Sequence, residues 1–207
     1  MTVNMLEILR GARVMPVIEI EDADSAAPLA EALAAGGLEV FEFTLRTPAA
    51  LAALAAAKKA RPDLVIGMGT VLSVEDAEHS IAAGADFLVT PGVTPDLLST
   101  LSNFVTPARP GVATASEAMA VLKAGISLMK FFPAEPAGGP TYLKALAGPL
   151  PEALFCPTGG IGRERVDDYL ALSNVVCVGG SWVAPKDAIA AKDWARITEN
   201  ARIASGG

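Results

Sequence analysis

The chain has 207 residues, 52% of them hydrophobic, and a formal net charge of −7, enough apolar material for one large domain or two small ones. The acidic balance argues against a nucleic-acid footprint, and no run of about 18 uncharged apolar residues offers a membrane span. No N-terminal signal pattern precedes a small-residue cleavage site, and two cysteines that read as reduced thiols lead to the expectation of a cytoplasmic protein.

Met1–Arg10 reads as a short amphipathic helix. Short β-rich runs follow at Val14–Ile20, Glu39–Leu45, Leu64–Gly67, Asp86–Thr90, Phe104–Ala108, Ser127–Phe132, Ala153–Pro157 and Val175–Val178. Between them lie stretches with helical spacing, such as SAAPLAEALAAGG, PAALAALAAAKKA, VEDAEHSIAAGA and TASEAMAVLKAGI. Strands separated by helices imply parallel pairing and right-handed crossovers. Ala-Gly pairs make Gly36, Gly84 and Gly125 candidate left-handed helix caps, and Ser25, Thr94 and Ser116 are candidate N-caps. No linker, low-complexity segment or repeat beyond the βα period divides the chain. Eight such units predict a single-domain (β/α)8 barrel over residues 1–207, with a short N-terminal helix. An open doubly wound sheet is the alternative.

The residues that break the pattern carry the chemistry. Lys130 interrupts the apolar run LMKFF and Glu42 interrupts VFEFTL. Side chains alternate across a strand, which groups Val40, Glu42 and Thr44 on one face, and Leu128, Lys130 and Phe132 on one face of another strand. Unpaired buried charges are costly, so both charges are expected to point inward, toward each other. The plain alternatives are a lysine that snorkels outward from a strand end and a carboxylate that merely neutralises it. The chemical reading is an amine nucleophile able to form a Schiff base with a carbonyl, beside a carboxylate that shuttles protons.

Arg46, Thr70, Thr90, Pro91, Thr158, Gly159, Gly160, Gly180 and Ser181 all fall at or just after strand ends, the rim where barrels build active sites. Arg46 stands near a helix start, where a cation opposes the helix dipole, so a bound anion is expected there. The glycines of PTGG and VGGS follow strands seven and eight, a common phosphate-binding position. His79 is the only histidine and sits among acids on a helical stretch. Cys156 and Cys177 are the only cysteines, in apolar strand-like runs, and read as two buried thiols. No plausible metal-ligand set emerges.

EFTLRT, GTVL, TPG, KFFPAE, FCPTGG and VGGSW, in this order and spacing, resemble the 2-keto-3-deoxy-6-phosphogluconate (KDPG) aldolase family of bacterial class I pyruvate aldolases, from Met15 to Pro185. The resemblance implies a barrel lyase of carbohydrate metabolism (the Entner–Doudoroff pathway), a homotrimer, and neither metal nor cofactor. It implies Lys130 as the Schiff-base lysine and Glu42 as the general acid/base. Arg46 and Thr70 would hold the carboxylate of a 2-keto acid, and Pro91 and Phe132 would line the pocket. Thr158 would sit beside the keto acid, and Gly159, Gly160, Gly180 and Ser181 would bind the phosphate of the aldehyde half.

Four positions depart from the family pattern, one of them mildly: Thr90 stands where serine is usual. Glu19 puts a carboxylate near the end of strand one, where it would repel an anionic substrate if it faced the pocket. Met68 fills GMGT, where it would narrow the carboxylate end. Arg109 replaces an apolar residue in strand five, and burial would require an acid beside it: Glu19, another acid or a subunit neighbour. These departures keep open an altered specificity for non-phosphorylated aldehydes. Another phosphate-binding barrel enzyme and a non-catalytic trimeric scaffold are the remaining alternatives.

Overall fold

The computed structural model of the protein describes residues 5–206. The strands are β1 (Val14–Ile18), β2 (Val40–Thr44), β3 (Val65–Gly69), β4 (Phe87–Val89), β5 (Ala108–Arg109), β6 (Gly111–Val112), β7 (Leu128–Phe131), β8 (Leu154–Pro157) and β9 (Val178–Gly180). The helices are α1 (Met5–Gly11), α2 (Ala26–Ala35), α3 (Ala50–Ala60), α4 (Val74–Ala82), α5 (Pro95–Leu101), α6 (Ala115–Lys123), α7 (Gly139–Leu146), α8 (Val166–Leu170), α9 (Lys186–Ala190) and α10 (Trp194–Ser205). The expected N-terminal helix is α1; Met1–Asn4 lie outside the described residues. No helix among the described residues is long and apolar enough to cross a membrane.

All paired strands run parallel, in the order β5-β4-β3-β2-β1-β9 and β6-β7-β8. The result is an α/β fold with a curled parallel sheet and helices on its outer side. Its two apolar clusters follow the strand alternation. Phe41, Phe43, Met68, Leu88 and Phe131 pack outward with helix residues such as Leu29, Leu33, Ala53 and Leu54. Met15, Val40, Phe87, Val89, Leu128, Cys156 and Cys177 form a separate inner cluster, closed from below by Met5 and Leu9 of α1.

Strand five departs most from expectation. Pairing begins at Ala108 rather than Phe104 and is split by Pro110 into β5 and β6. Pro107 and Pro110 lack the N–H that a ladder requires, so only their neighbours donate. Pro107 and Pro110 still accept, from Leu88 N–H (2.9 Å) and Lys130 N–H (3.0 Å). The last strand also lies later than expected, at Val178–Gly180, while Val175 makes an isolated bridge to Phe155.

Among the predicted caps, Thr94 accepts from Leu97 N–H, and Gly84 and Gly125 have φ of 98° and 83°. Thr114, rather than Ser116, caps α6 through a capping box with Glu117. Ser25 makes no side-chain cap bond; its hydroxyl donates instead to Asp22, which caps the preceding 3-10 turn. Gly36 is not left-handed, because Gly37 takes that conformation at φ 88°. A Cβ on Gly36 would lie 2.4 Å from Ala201 Cβ and 2.6 Å from Thr198 O, so this glycine lets α10 approach α2. Gly36→Ala is therefore expected to destabilise the fold by about 1–3 kcal/mol through overpacking. A urea midpoint unchanged from wild type would contradict this close approach.

Candidate active site

The alternation places Glu42 and Lys130 inside the curled sheet. Each is almost fully buried, with 0% and 3% of its surface exposed. Lys130 Nζ lies 3.5 Å from Glu42 Oε1 and 5.0 Å from the centroid of the Phe132 ring. The outward-snorkelling reading of Lys130 therefore does not hold. In register, Lys130 stands beside Gly111 on one side and Cys156 on the other, while Glu42 stands beside Val17 and Gly67.

Arg109 completes the cluster. It is 1% exposed, and its Nη2 donates to Glu42 Oε2 at 3.1 Å. Its guanidinium carbon lies 4.7 Å from the Phe87 ring centroid. The acid that Arg109 requires is thus Glu42 and not Glu19. One carboxylate is shared by two buried cations.

Two glycines of β3 make this possible. A Cβ on Gly69 would come within 2.7 Å of Glu42 Oε1, and one on Gly67 within 2.1 Å of the Phe87 ring that lies against Arg109. Met68, between them, faces the outer core, so it does not narrow the inner site. Thr70 follows directly at φ 61°, a conformation that is strained for a β-branched residue.

A cavity of about 550 Å³ opens at the C-terminal strand ends, lined by Glu19, Thr44, Arg46, Gly160, Ser181 and Lys186 among others. Thr44 continues the inward face of β2 beyond Glu42, linking this rim to the buried cluster. Glu19 does face the cavity, but it is not a bare anion. It accepts from Lys186 and lies 3.9 Å from Arg46 Nη1. Its charge is therefore offset on the rim, although exposure weakens these pairs. A second cavity of similar volume lies near α1, lined by Met5, Leu6, Leu101 and Leu128, with Arg109 as its one contact with the charge cluster.

The remaining candidates are placed as follows. Thr158 is buried; its N–H donates to Phe131 O, and it bridges Gly179. Gly159 and Gly160 have φ of 108° and 80°, open to glycine and strained for other residues. Gly180 lies in β9, and Ser181 is exposed just beyond it. Pro91 packs its carbonyl over Gly111. Thr90 accepts from Gly111 N–H at 3.0 Å and so stitches β4 to β6. Thus Arg46, Gly160 and Ser181 share the rim cavity, while Thr70, Pro91, Phe132, Thr158, Gly159 and Gly180 are not in its lining.

Cys156 and Cys177 are free buried thiols with sulfurs 3.2 Å apart. The hydrogen bond from Cys177 draws the Cys156 thiol down to about 7 against the opposing effect of burial, with the Arg109 charge assisting. The same bond and burial push Cys177 well up. No cluster of His, Cys, Asp or Glu among the described residues has the makings of a metal site.

The family model "KDPG and KHG aldolase" matches residues 5–200. The chain belongs to the KDPG and KHG aldolase family. It is 45% identical over 203 residues to the 2-dehydro-3-deoxy-phosphogluconate aldolase of Pseudomonas aeruginosa, covering 98% of this chain and 92% of that one. It is 45% identical over 200 residues to the KHG/KDPG aldolase of Escherichia coli K12, covering 97% and 94%. Among solved structures it resembles the KDPG aldolase of Legionella pneumophila, at a TM-score of 0.95, 44% identity and 98% coverage of both chains. In that structure pyruvate was captured at low pH as a covalent carbinolamine intermediate. The KDPG aldolase of Zymomonas mobilis ATCC 29191 matches at a TM-score of 0.91 and 45% identity, covering 96% of this chain and 95% of that one.

Sequence reading missed the role of Lys186, which has no motif and meets Glu19 only through the fold. It noted Arg109 without finding its partner. For this family member, removing the shared anion is expected to hurt more than removing one of its cations. Glu42→Leu strands two buried cations and should cost about 3–5 kcal/mol. Lys130→Met leaves Glu42 paired with Arg109 and should cost less. Urea unfolding of both variants in the reverse order of stability would contradict the shared-carboxylate arrangement.

Proposed function

We propose that the protein is a class I aldolase that reversibly cleaves 2-keto-3-deoxy-6-phosphogluconate to pyruvate and glyceraldehyde 3-phosphate. The observation that carries this reading is the buried pair of Lys130 and Glu42, 3.5 Å apart, in a chain of this family. The chain is a lyase of the aldehyde-lyase type. We extend the substrate range to 4-hydroxy-2-oxoglutarate, supported by the dual name of the Escherichia coli relative.

The proposed steps follow from the residues. Lys130 passes a proton to Glu42, and the free amine attacks the C2 carbonyl to form a carbinolamine. Glu42 returns the proton to the C2 hydroxyl, water leaves, and a cationic iminium remains. Glu42, again a carboxylate, takes the proton of the C4 hydroxyl. The C3–C4 bond breaks, the aldehyde forms at C4, and the bonding pair moves to C3 to give a neutral enamine. Glu42 then protonates C3, water adds at C2, and pyruvate is released as Lys130 is regenerated. The iminium supplies the electron sink, and one carboxylate moves every proton.

We assign the rim residues to binding. Arg46 and Thr70 hold the keto-acid carboxylate; Pro91, Phe132 and Thr158 surround the reacting carbons. Gly159, Gly160, Gly180 and Ser181 hold the phosphate. The positive φ values of Gly159 and Gly160 support the last assignment, since such backbone turns N–H groups toward an anion.

We further propose that residues 1–207 form one closed (β/α)8 barrel. Support comes from the Pro110 connection between β5 and β6 and from the bridges Phe155–Val175 and Thr158–Gly179 across the other seam. We also propose a cytoplasmic homotrimer, supported by the family resemblance.

Borohydride reduction in the presence of pyruvate should leave a mass adduct on Lys130, and Lys130→Met should abolish turnover while remaining folded. Absence of adduct from active wild-type protein, or turnover by the variant, would overturn the mechanism. Ser181→Glu should weaken cleavage of the phosphorylated substrate far more than it weakens trapping of pyruvate. Equal losses would place the phosphate elsewhere.

A further inference from the structure

Arg109 is not needed to neutralise the interior. Lys130 already balances Glu42, so the guanidinium leaves a net positive charge in a water-poor cluster. Its Nε and Nη1 are also buried without a hydrogen-bond partner, and its Nη2 contacts only Glu42 Oε2 and, at 3.0 Å, the sulfur of Met15. A buried cation with two orphaned donors is costly. Where an apolar residue would fit a strand of this kind, such a cost calls for a compensating role.

We propose that Arg109 is a positioning residue for the aldol reaction, fixing the carboxylate through which all the protons pass. This inference rests on the Schiff-base reading of Lys130 and Glu42. Arg109 occupies Oε2, while Lys130 faces Oε1. A guanidinium cannot accept a proton and does not lose one in proteins, so Oε2 is held by a permanent donor throughout the cycle. Oε1 is left as the one oxygen that receives and delivers protons, on the side of the reactive amine. The Phe87 ring, admitted by Gly67, holds the guanidinium from its face. The carboxylate plane is thereby set from behind, with no contact between Arg109 and the substrate.

The test compares wild type, Arg109→Met and Arg109→Lys in three readings: steady-state cleavage, solvent deuterium exchange into the methyl group of pyruvate, and borohydride trapping of pyruvate. Deuterium exchange reports the proton shuttle alone, without an aldehyde. Arg109→Met should lower kcat and the exchange rate together by about tenfold to a hundredfold, up to the cost of misplacing a reacting group by about 1 Å. Its KM should change little, its adduct on Lys130 should persist, and it should unfold at no lower urea concentration than wild type. Arg109→Lys should recover part of the exchange rate. If wild type is trapped on Lys130 but Arg109→Met keeps kcat and exchange within about twofold, the positioning role is wrong and the Schiff-base reading stands. A loss of exchange that merely tracks a loss of folded protein also overturns it. If wild type gives no adduct on Lys130, both readings fail.

Discussion

Glu42 is buried between two cations. Lys130 approaches one carboxylate oxygen at 3.5 Å and Arg109 the other at 3.1 Å, and all three residues are at most 3% exposed. Charges that deep are tolerated only with partners in place. Much of the inner architecture can be understood as the means of bringing β2, β5 and β7 to the same point. Glu42 and Arg109 are 67 positions apart in the chain, and Glu42 and Lys130 are 88. Only a curled sheet whose inward faces meet brings them together.

The glycines of β3 set the available volume. Gly69 leaves room for the carboxylate, and Gly67 leaves room for the ring against which the guanidinium lies. Residues on the same strand but the opposite face, such as Met68, serve the outer helix layer instead. This division of labour, with small residues inside where charges must fit and large ones outside where helices must pack, follows directly from the two-residue period of a strand. At the rim the environment changes. Glu19, Arg46 and Lys186 are partly or largely exposed, so their pairings are weak and can rearrange around a ligand. The buried charge cluster and the exposed rim charges are thus in different dielectric surroundings.

The sequence was legible where one strand's own pattern sufficed. The inward grouping of Val40, Glu42 and Thr44 and the interruption of LMKFF by Lys130 needed only local alternation, and the six motifs identified the family. It was less legible where the answer depended on register between distant strands. Arg109 was visible as an anomaly, but its acid could be named only once β4 had paired with β5 and the sheet had curled. Strand five begins later than Phe104 and Val105 suggest, because the prolines at 107 and 110 decide which amides can pair. Gly36 looked like a left-handed cap; the packing of α10 explains it, and that helix begins more than 150 residues later.

Family membership, the buried amine and the single shared carboxylate support the proposal of covalent catalysis through Lys130. The most direct measurement is a crystal structure of the wild-type protein soaked in pyruvate. Continuous electron density is expected from Lys130 Nζ to C2 of the keto acid, with Glu42 Oε1 beside the new bond and Arg109 still on Oε2. Pyruvate bound without a covalent link, or a Lys130 side chain turned out to solvent away from Glu42, would contradict it.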